Sequence, residues 1–336
     1  MIFQMMTGGI ETMLVDIMNE QLSRGHRVEL LIVNRGENAD VIAGIDPRVR
    51  ITRFNRTPGA NPLLLMARLN AWMLRRRPDI IHLHMHKLTG LLRVMHRRAL
   101  FTVHDLNIPM TFAARYNMAA ISQAVADDVS NRVPGARVTV VCNGINTSKI
   151  AHRPERPIGA PVRIVQVSRL LKEKKGQDIL IEAAKILRGR GICIALTFIG
   201  EGPDLEALHT QAKGLDVTFA GNMPRKEIYA RLKDFDLMCH PARYDGFGLT
   251  VAEGMTAGLP VVVPEGGGPW EVADRGRLAE VFKSGDASEC AAAIERIIGN
   301  YAAARERAAK GREYVEIHFS VKRMVSEYDA LYQKII

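Results

Sequence analysis

Short apolar runs alternate with amphipathic stretches along the whole chain. In the first half, Ile2–Met6, Val28–Val33, Val49–Phe54, Ile80–Leu83, Leu100–Val103, Met118–Ile121 and Val138–Cys142 are short runs bounded by polar or turn residues, the pattern of buried strands. Glu11–Arg24 places Met13, Leu14, Ile17, Met18 and Leu22 on one helical face, and Gly25 stops it. Pro62–Arg77 is a further helix, closed by Pro78.

The alternation restarts after residue 161. Strands are predicted at Arg163–Val167, Ile194–Ile199, Val217–Ala220, Leu237–His240 and Val261–Val263. Helices are predicted at Gly176–Arg188, Leu205–Lys213, Lys226–Lys233, Val251–Ala257, Ser288–Ile298 and Ala302–Phe319, with a separate amphipathic helix over Val321–Ile336. The stretch Arg153–Pro161 is rich in proline and polar residues and is the best linker. The order predicts an α/β protein of two doubly wound domains, 1–152 and 153–319, facing across a cleft. The helix over 320–336 is expected to pack back on the first domain.

Composition narrows the picture. The 336 residues suffice for two domains of about 150 residues each, and no apolar run reaches the ~18 residues of a membrane span. The first residues lack a basic segment and a cleavage site, so they read as a buried strand rather than a secretory signal. The four cysteines are scattered, which fits a thiol-bearing cytoplasmic protein better than a disulfide or zinc framework. The net charge is +10, and most of it lies in residues 1–150, with 19 Lys/Arg against 11 Asp/Glu; residues 151–336 hold 27 against 25. An excess confined to one half suggests an anionic partner, either a lipid surface or a phosphate-bearing acceptor. With 6% aromatics and no stacking platforms inside a basic stretch, nucleic acid is not an expected partner.

The run Tyr244–Glu253 carries the most chemistry. Asp245, a turn bracketed by Gly246 and Gly248, and Glu253 sit at the opening of a helix. In an open α/β sheet that loop lies at the carboxyl end of a strand, where ligands bind. Free N–H groups at a helix start favour phosphate, and a carboxylate one turn in can accept from a vicinal diol such as ribose. Arg169, leaving a strand end, and Lys175, just before a helix, supply a guanidinium fork and a mobile ammonium for a diphosphate. Gly200-Glu201-Gly202-Pro203 is by itself a tight strand–helix turn. Gly221 and Asn222 end another strand and could present backbone groups to a base edge. His82, His84 and His86 alternate at a strand end, where local packing or acceptor contact outweighs a metal site.

Together, Arg169-x5-Lys175-Gly176, Gly200-x-Gly202-Pro203, Asp245-x7-Glu253 and Gly267-Gly268-x-x-Glu271 resemble the retaining glycosyltransferases of family 4, the glycosyl transferases group 1. Thr7-Gly8-Gly9-Ile10-Glu11, Thr102-Val103-His104-Asp105 and Asn143-Gly144-Ile145-Asn146 are similar to the family's amino-terminal segments, so the resemblance covers nearly the whole chain. It implies a GT-B fold of two Rossmann-like domains. It also implies that Arg169 and Lys175 hold the donor diphosphate, Glu253 the ribose, and Asp245 the transferred sugar. Backbone groups of Phe247, Gly248, Leu249 and Thr250 would meet sugar hydroxyls and phosphate. Gly8 and Gly9 would lie near the diphosphate and acceptor, and His104 would approach the sugar. The family's first acidic residue is usually Glu where this chain has Asp245, and its Asn-Gly-x-Asp stretch ends here in Asn146.

The implied reaction moves a sugar from a nucleotide donor, a UDP-sugar in preference to GDP-mannose, to a glycan or lipid-linked hydroxyl. The setting is cell-surface polysaccharide or lipopolysaccharide synthesis at the cytoplasmic side, with neither cofactor nor metal. Two other readings are a catalytically silent sugar-nucleotide-binding subunit and a GT-B sugar-nucleotide epimerase. The helix over 63–77, apolar with Trp72 and three terminal arginines, is either an anchor on an anionic membrane surface or a core helix whose cationic end suits its dipole.

Overall fold

A computed structural model describes residues 1–59, 61–111 and 115–336. The chain divides into two compact units, Met1–Ile145 with Val321–Ile336, and Asn146–Ser320.

The first unit holds a parallel pair, β1 (Glu29–Asn34) and β2 (Arg50–Arg56), and a parallel four-stranded sheet in the order β3 (Ile81–Leu83), β4 (Ala99–Val103), β5 (Asn117–Ala120) and β6 (Val138–Val140). The predicted strand Ile2–Met6 is reduced to parallel bridges of Ile2 with Ile32 and Met5 with Glu37. It still joins the two sheets, because Ile2 N donates to Leu31 O and His84 N donates to Met1 O. Its ladder breaks where the neighbouring chain turns away at Gly36, which has φ +109°. The helix Gly9–Ser23 packs two ways, with Met13 and Ile17 toward one apolar cluster and Leu14, Val15 and Met18 toward another. The first cluster is completed by Met324, Val325 and Tyr328 of the helix Val321–Gln333. A helix at Gln123–Arg132, absent from the periodicity analysis, starts where the Ser122 hydroxyl accepts from Val125 N.

In the second unit six parallel strands run in the order β12 (Glu280–Phe282), β11 (Val261–Pro264), β10 (Leu237–Cys239), β7 (Val162–Val167), β8 (Ile194–Ile199), β9 (Asp216–Phe219). β12 and the short helix Gly267–Val272 were not foreseen; the first is only three residues long, and the second hides in a glycine run. The helices Gln177–Gly189 and Ala287–Gly299 bury their apolar faces in a single core against this sheet. From β7 the chain winds outward through β8 and β9, then returns to place β10 on the other side. The switch point therefore falls between β7 and β10, where an open α/β sheet leaves a crevice at its carboxyl edge.

The stretch 153–161, expected to be a linker, is fastened into this unit. Arg153 is buried, donates to Asp236 Oδ1 at 2.9 Å and lies over the Tyr301 ring. Arg163 shares the same carboxylate at 3.1 Å. Prolines in this stretch serve a packed connection, and the break between units lies at Ile145/Asn146.

Candidate functional site

The loops that carry the predicted cations and carboxylates leave β7 and β10, the two strands at the switch point. Gln166 and Gln177, both buried, shape the first loop: Gln166 Nε2 donates to Lys175 O, and Gln177 Nε2 donates to Ser168 Oγ and Arg169 O. Gly176, at φ +67°, allows the second loop to approach, since a Cβ there would stand 2.0 Å from Pro241 O. Lys175 is thereby delivered to the other loop, with Nζ 2.5 Å from Asp245 Oδ2. Arg169, at the exposed start of its loop, makes no ion pair among the described residues.

Asp245 is more occupied than its sequence suggested. Oδ1 accepts from Phe247 N at 3.2 Å and Gly248 N at 3.0 Å. Oδ2 takes Lys175 and, at 3.0 Å, His240 Nε2. Burial alone would raise this carboxyl's pKa, but the Lys175 charge and the His240 bond outweigh it and hold the group well below the usual carboxylate range. Four donors fill about the four lone-pair sites that a carboxylate offers. The sequence reading assigned Asp245 to the transferred sugar; here its carboxylate is held inside the protein, and of the four backbone N–H groups at Phe247–Thr250 the first two are turned onto it. Those of Leu249 and Thr250 open the helix Leu249–Thr256, which has no side-chain cap.

Glu253 lies buried one turn further on. The Tyr229 hydroxyl donates to its Oε1 at 3.0 Å, Arg225 Nε donates to that hydroxyl at 2.5 Å, and Arg225 stands 3.8 Å from the carboxylate. The glycines around this turn are required by backbone contact. A Cβ on Gly268 would meet Phe247 N at 2.4 Å, and one on Gly248, at φ +89°, would press on Pro269. Gly200 N donates to Gly221 O at 2.8 Å, tying the ends of β8 and β9 together beside the Arg169 loop, with Asn222 exposed next to them.

In the first unit the polar cluster is built of rings and hydroxyls. His104 follows β4, and its Nε2 lies 3.2 Å from His84 Nδ1, the two rings stacked. His82 is held by the Tyr332 hydroxyl at 2.7 Å and Thr102 Oγ1 at 2.6 Å, and Thr102 also meets Tyr328. Burial pushes the His104 pKa down to about 3 and those of His82 and His84 well below the ordinary imidazole value. His86 begins a separate short helix, His86–Thr89. Among the described residues no group of three or more His, Cys, Asp or Glu could hold a metal ion. Gly8 O accepts from Thr12 N and Oγ1 at the start of the helix Gly9–Ser23, where Gly9 is exposed. The Glu11 side chain folds over Gly8, and burial raises its carboxyl pKa.

Residues 148–314 match the family model described as Glycosyl transferases group 1, and residues 7–149 match that of Glycosyltransferase Family 4. The chain belongs to glycosyltransferase family 4. It is 31% identical over 213 residues to the amylovoran biosynthesis glycosyltransferase AmsK of Erwinia amylovora, covering 60% of this chain and 52% of that one. To a GDP-mannose-dependent phosphatidylinositol monomannoside mannosyltransferase of Mycolicibacterium smegmatis it is 27% identical over 274 residues, 76% of this chain and 69% of the relative. The match spans about half the length of the first curated relatives. Among solved structures, HepE of Anabaena in complex with UDP and glucose superposes with a TM-score of 0.81 at 20% identity, over 99% of this chain and 98% of that one. The fold is GT-B, built from two Rossmann-like units.

Within this family 4 chain, the second unit gathers Arg169, Lys175, Asp245, Leu249, Thr250 and Glu253 at one sheet edge, while His104, Gly8 and Gly9 belong to the first unit. His240, Gln166, Gln177, Tyr229 and Arg225 were not found by sequence reasoning. Gln177 could have been, as a glutamine on the apolar face of an amphipathic helix. The others have no local pattern, because their partners are distant in sequence.

Proposed function

We propose that this family 4 chain is a hexosyltransferase that moves a sugar, with retention, from a nucleoside diphosphate donor to a hydroxyl of a glycan or lipid-linked acceptor in cell-surface polysaccharide or lipopolysaccharide synthesis. The observation that carries the proposal is the arrangement at the β7/β10 switch point: exposed Arg169, Lys175 poised on Asp245, an uncapped helix start and a buried Glu253. Departure of the diphosphate builds charge on its terminal phosphate, and two preplaced cations with helix N–H groups stabilise that charge. With those cations present the proposal needs no metal, and activity is expected to survive EDTA. Glu253, oriented by Tyr229, is assigned to the ribose diol, and His104, an uncharged imidazole, to a sugar hydroxyl.

Retention through a covalent intermediate requires a carboxylate free to attack. Asp245 is engaged by Lys175, His240 and two backbone N–H groups rather than free, which supports front-face departure and attack, the leaving phosphate taking the acceptor's proton. The linkage formed by purified enzyme, read by proton NMR, tests this; an inverted anomeric centre contradicts it. A UDP-sugar is the favoured donor, supported by the UDP complex of HepE, and GDP-mannose is the alternative named in the mycobacterial relative. Thermal shift across a panel of nucleotide sugars distinguishes them.

An anionic membrane surface is proposed as a further partner of the first unit. The helix Pro62–Arg76 buries Leu65, Leu69 and Met73, yet its outer face shows Leu63 and Leu64, 62% and 68% exposed, beside exposed Arg68, Arg75 and Arg76. A core-only helix accounts for the first set and not for the second. Among the described residues no helix is long and apolar enough to cross a membrane. Flotation with vesicles containing anionic lipid is expected and should fall in a variant carrying L63Q, L64Q and R75Q; equal behaviour of the two proteins contradicts the proposal.

A further inference from the structure

We infer that His240 is a positioning residue of the donor site, holding the Asp245 carboxylate so that Lys175 is aimed at the donor phosphate; the inference rests on the donor-site reading above. His240 follows β10 directly and is 2% exposed, so its ring is not a surface ligand. Its Nε2 lies 3.0 Å from Asp245 Oδ2, and its Nδ1 lies 3.4 Å from Thr250 Oγ1 in the first turn of the next helix. An ionised carboxylate only accepts hydrogen bonds, so the proton between His240 and Asp245 sits on Nε2. One imidazole therefore touches both the carboxylate that holds Lys175 and the helix start expected to meet phosphate.

The shorter side chain at position 245 fits this arrangement. Aspartate is one methylene shorter than the glutamate usual in the family, and its carboxylate is met here by His240 Nε2 at 3.0 Å. Lys175 has three ammonium protons, and one is given to Oδ2. With His240 occupying the other lone pair of that oxygen, the ammonium keeps two protons directed away from the carboxylate. Without His240 the Asp245 carboxylate is free to turn, and the mobile ammonium paired with it loses its aim. Asp245 is thus part of the internal support for Lys175.

The test uses the full chain, with UDP as probe and GDP in a parallel arm, measured by titration calorimetry. H240N, whose amide does not reach the Nε2 position, is expected to weaken nucleotide binding about tenfold, as for a lost charge-assisted hydrogen bond. H240Q, whose amide nitrogen approximates Nε2, should recover most of that loss. The double variant K175A/H240N should bind little more weakly than K175A alone, since the inferred action of His240 runs through Asp245 and Lys175. Equal losses in H240N and H240Q, or additive losses in the double variant, overturn the inference. A ligand-free readout accompanies it: nitrogen NMR of the histidine rings, with His240 assigned by its loss in H240N, should show a protonated Nε2 that shifts in D245N. A His240 signal unchanged by D245N overturns the inference. If the wild type binds neither nucleotide, the donor-site reading fails, and the ring spectrum still decides whether His240 holds Asp245.

Discussion

At the carboxyl edge of the second unit's sheet, Lys175 and His240 converge on one oxygen of Asp245; at the same edge of the first unit's sheet, His84 and His104 stand ring to ring above His82, Thr102 and two tyrosines. Both clusters are partly buried and polar, yet the first is organised by formal charge and the second by neutral hydrogen-bonding groups. A fixed carboxylate can hold a cation ready for a phosphate, which suits the diphosphate contact proposed for the second unit. The sugar contact proposed for His104 calls for donors and acceptors without charge, and desolvation supplies these by keeping the imidazoles unprotonated. The contrast extends to structure, since the second unit also fastens its first segment with the buried Arg153–Asp236 pair, which the partly exposed Arg163 joins.

The comparison can be broken in several places, starting with the largest effect. D236A strands the buried Arg153 guanidinium and should cost about 3–5 kcal/mol of stability, read as a lowered denaturation midpoint. A loss under 1 kcal/mol would mean that charge does not organise the second unit. K175A should lower kcat by about 10²–10³ with little change in fold, as removal of a preplaced stabiliser of developing charge does; a change confined to KM would make Lys175 a ground-state anchor. Y229F removes the donor to Glu253 Oε1 and should raise donor KM about tenfold with kcat within about twofold.

The smallest effect is on pH dependence. His104 is protonated at about pH 3 when folded and near 6.5 when unfolded, and His82 and His84 are shifted in the same direction. Their contribution is complete above pH 6.5 and is lost as pH falls below it, because the unfolded chain then binds protons that the folded one refuses. Asp245, depressed from 3.8, adds stability that is lost only below that value. Between pH 7 and 5 the imidazole cluster should therefore dominate the difference between the two sites. The thermal midpoint should fall over that range, with a flatter slope in H84Q; an unchanged slope would remove the imidazoles as its cause.

Much of this was legible in the chain. The alternation of apolar runs located the strands of all three sheets except β12, because buried parallel strands leave a strong local signal. The glycine turn at Gly246–Gly248 and the pair Arg169 and Lys175 were legible for the same reason, since each is a local pattern. Arg153–Pro161 misled, as prolines mark a packed connection as readily as a free one, and nothing nearby announces Asp236. His240 was invisible because its meaning depends on strand order. Only when β10 returns beside β7 do Lys175 and Asp245, 70 residues apart, share an oxygen next to its ring. The partners of Asp245 were illegible for the same reason.

The central claim is that the second unit binds a nucleoside diphosphate through the cations at its switch point. Titration of UDP into the wild type and into R169A/K175A tests it most directly. The account predicts saturable binding by the wild type, weakening steeply with salt, and at least a hundredfold loss in the double variant. Equal affinity in the two proteins would contradict it.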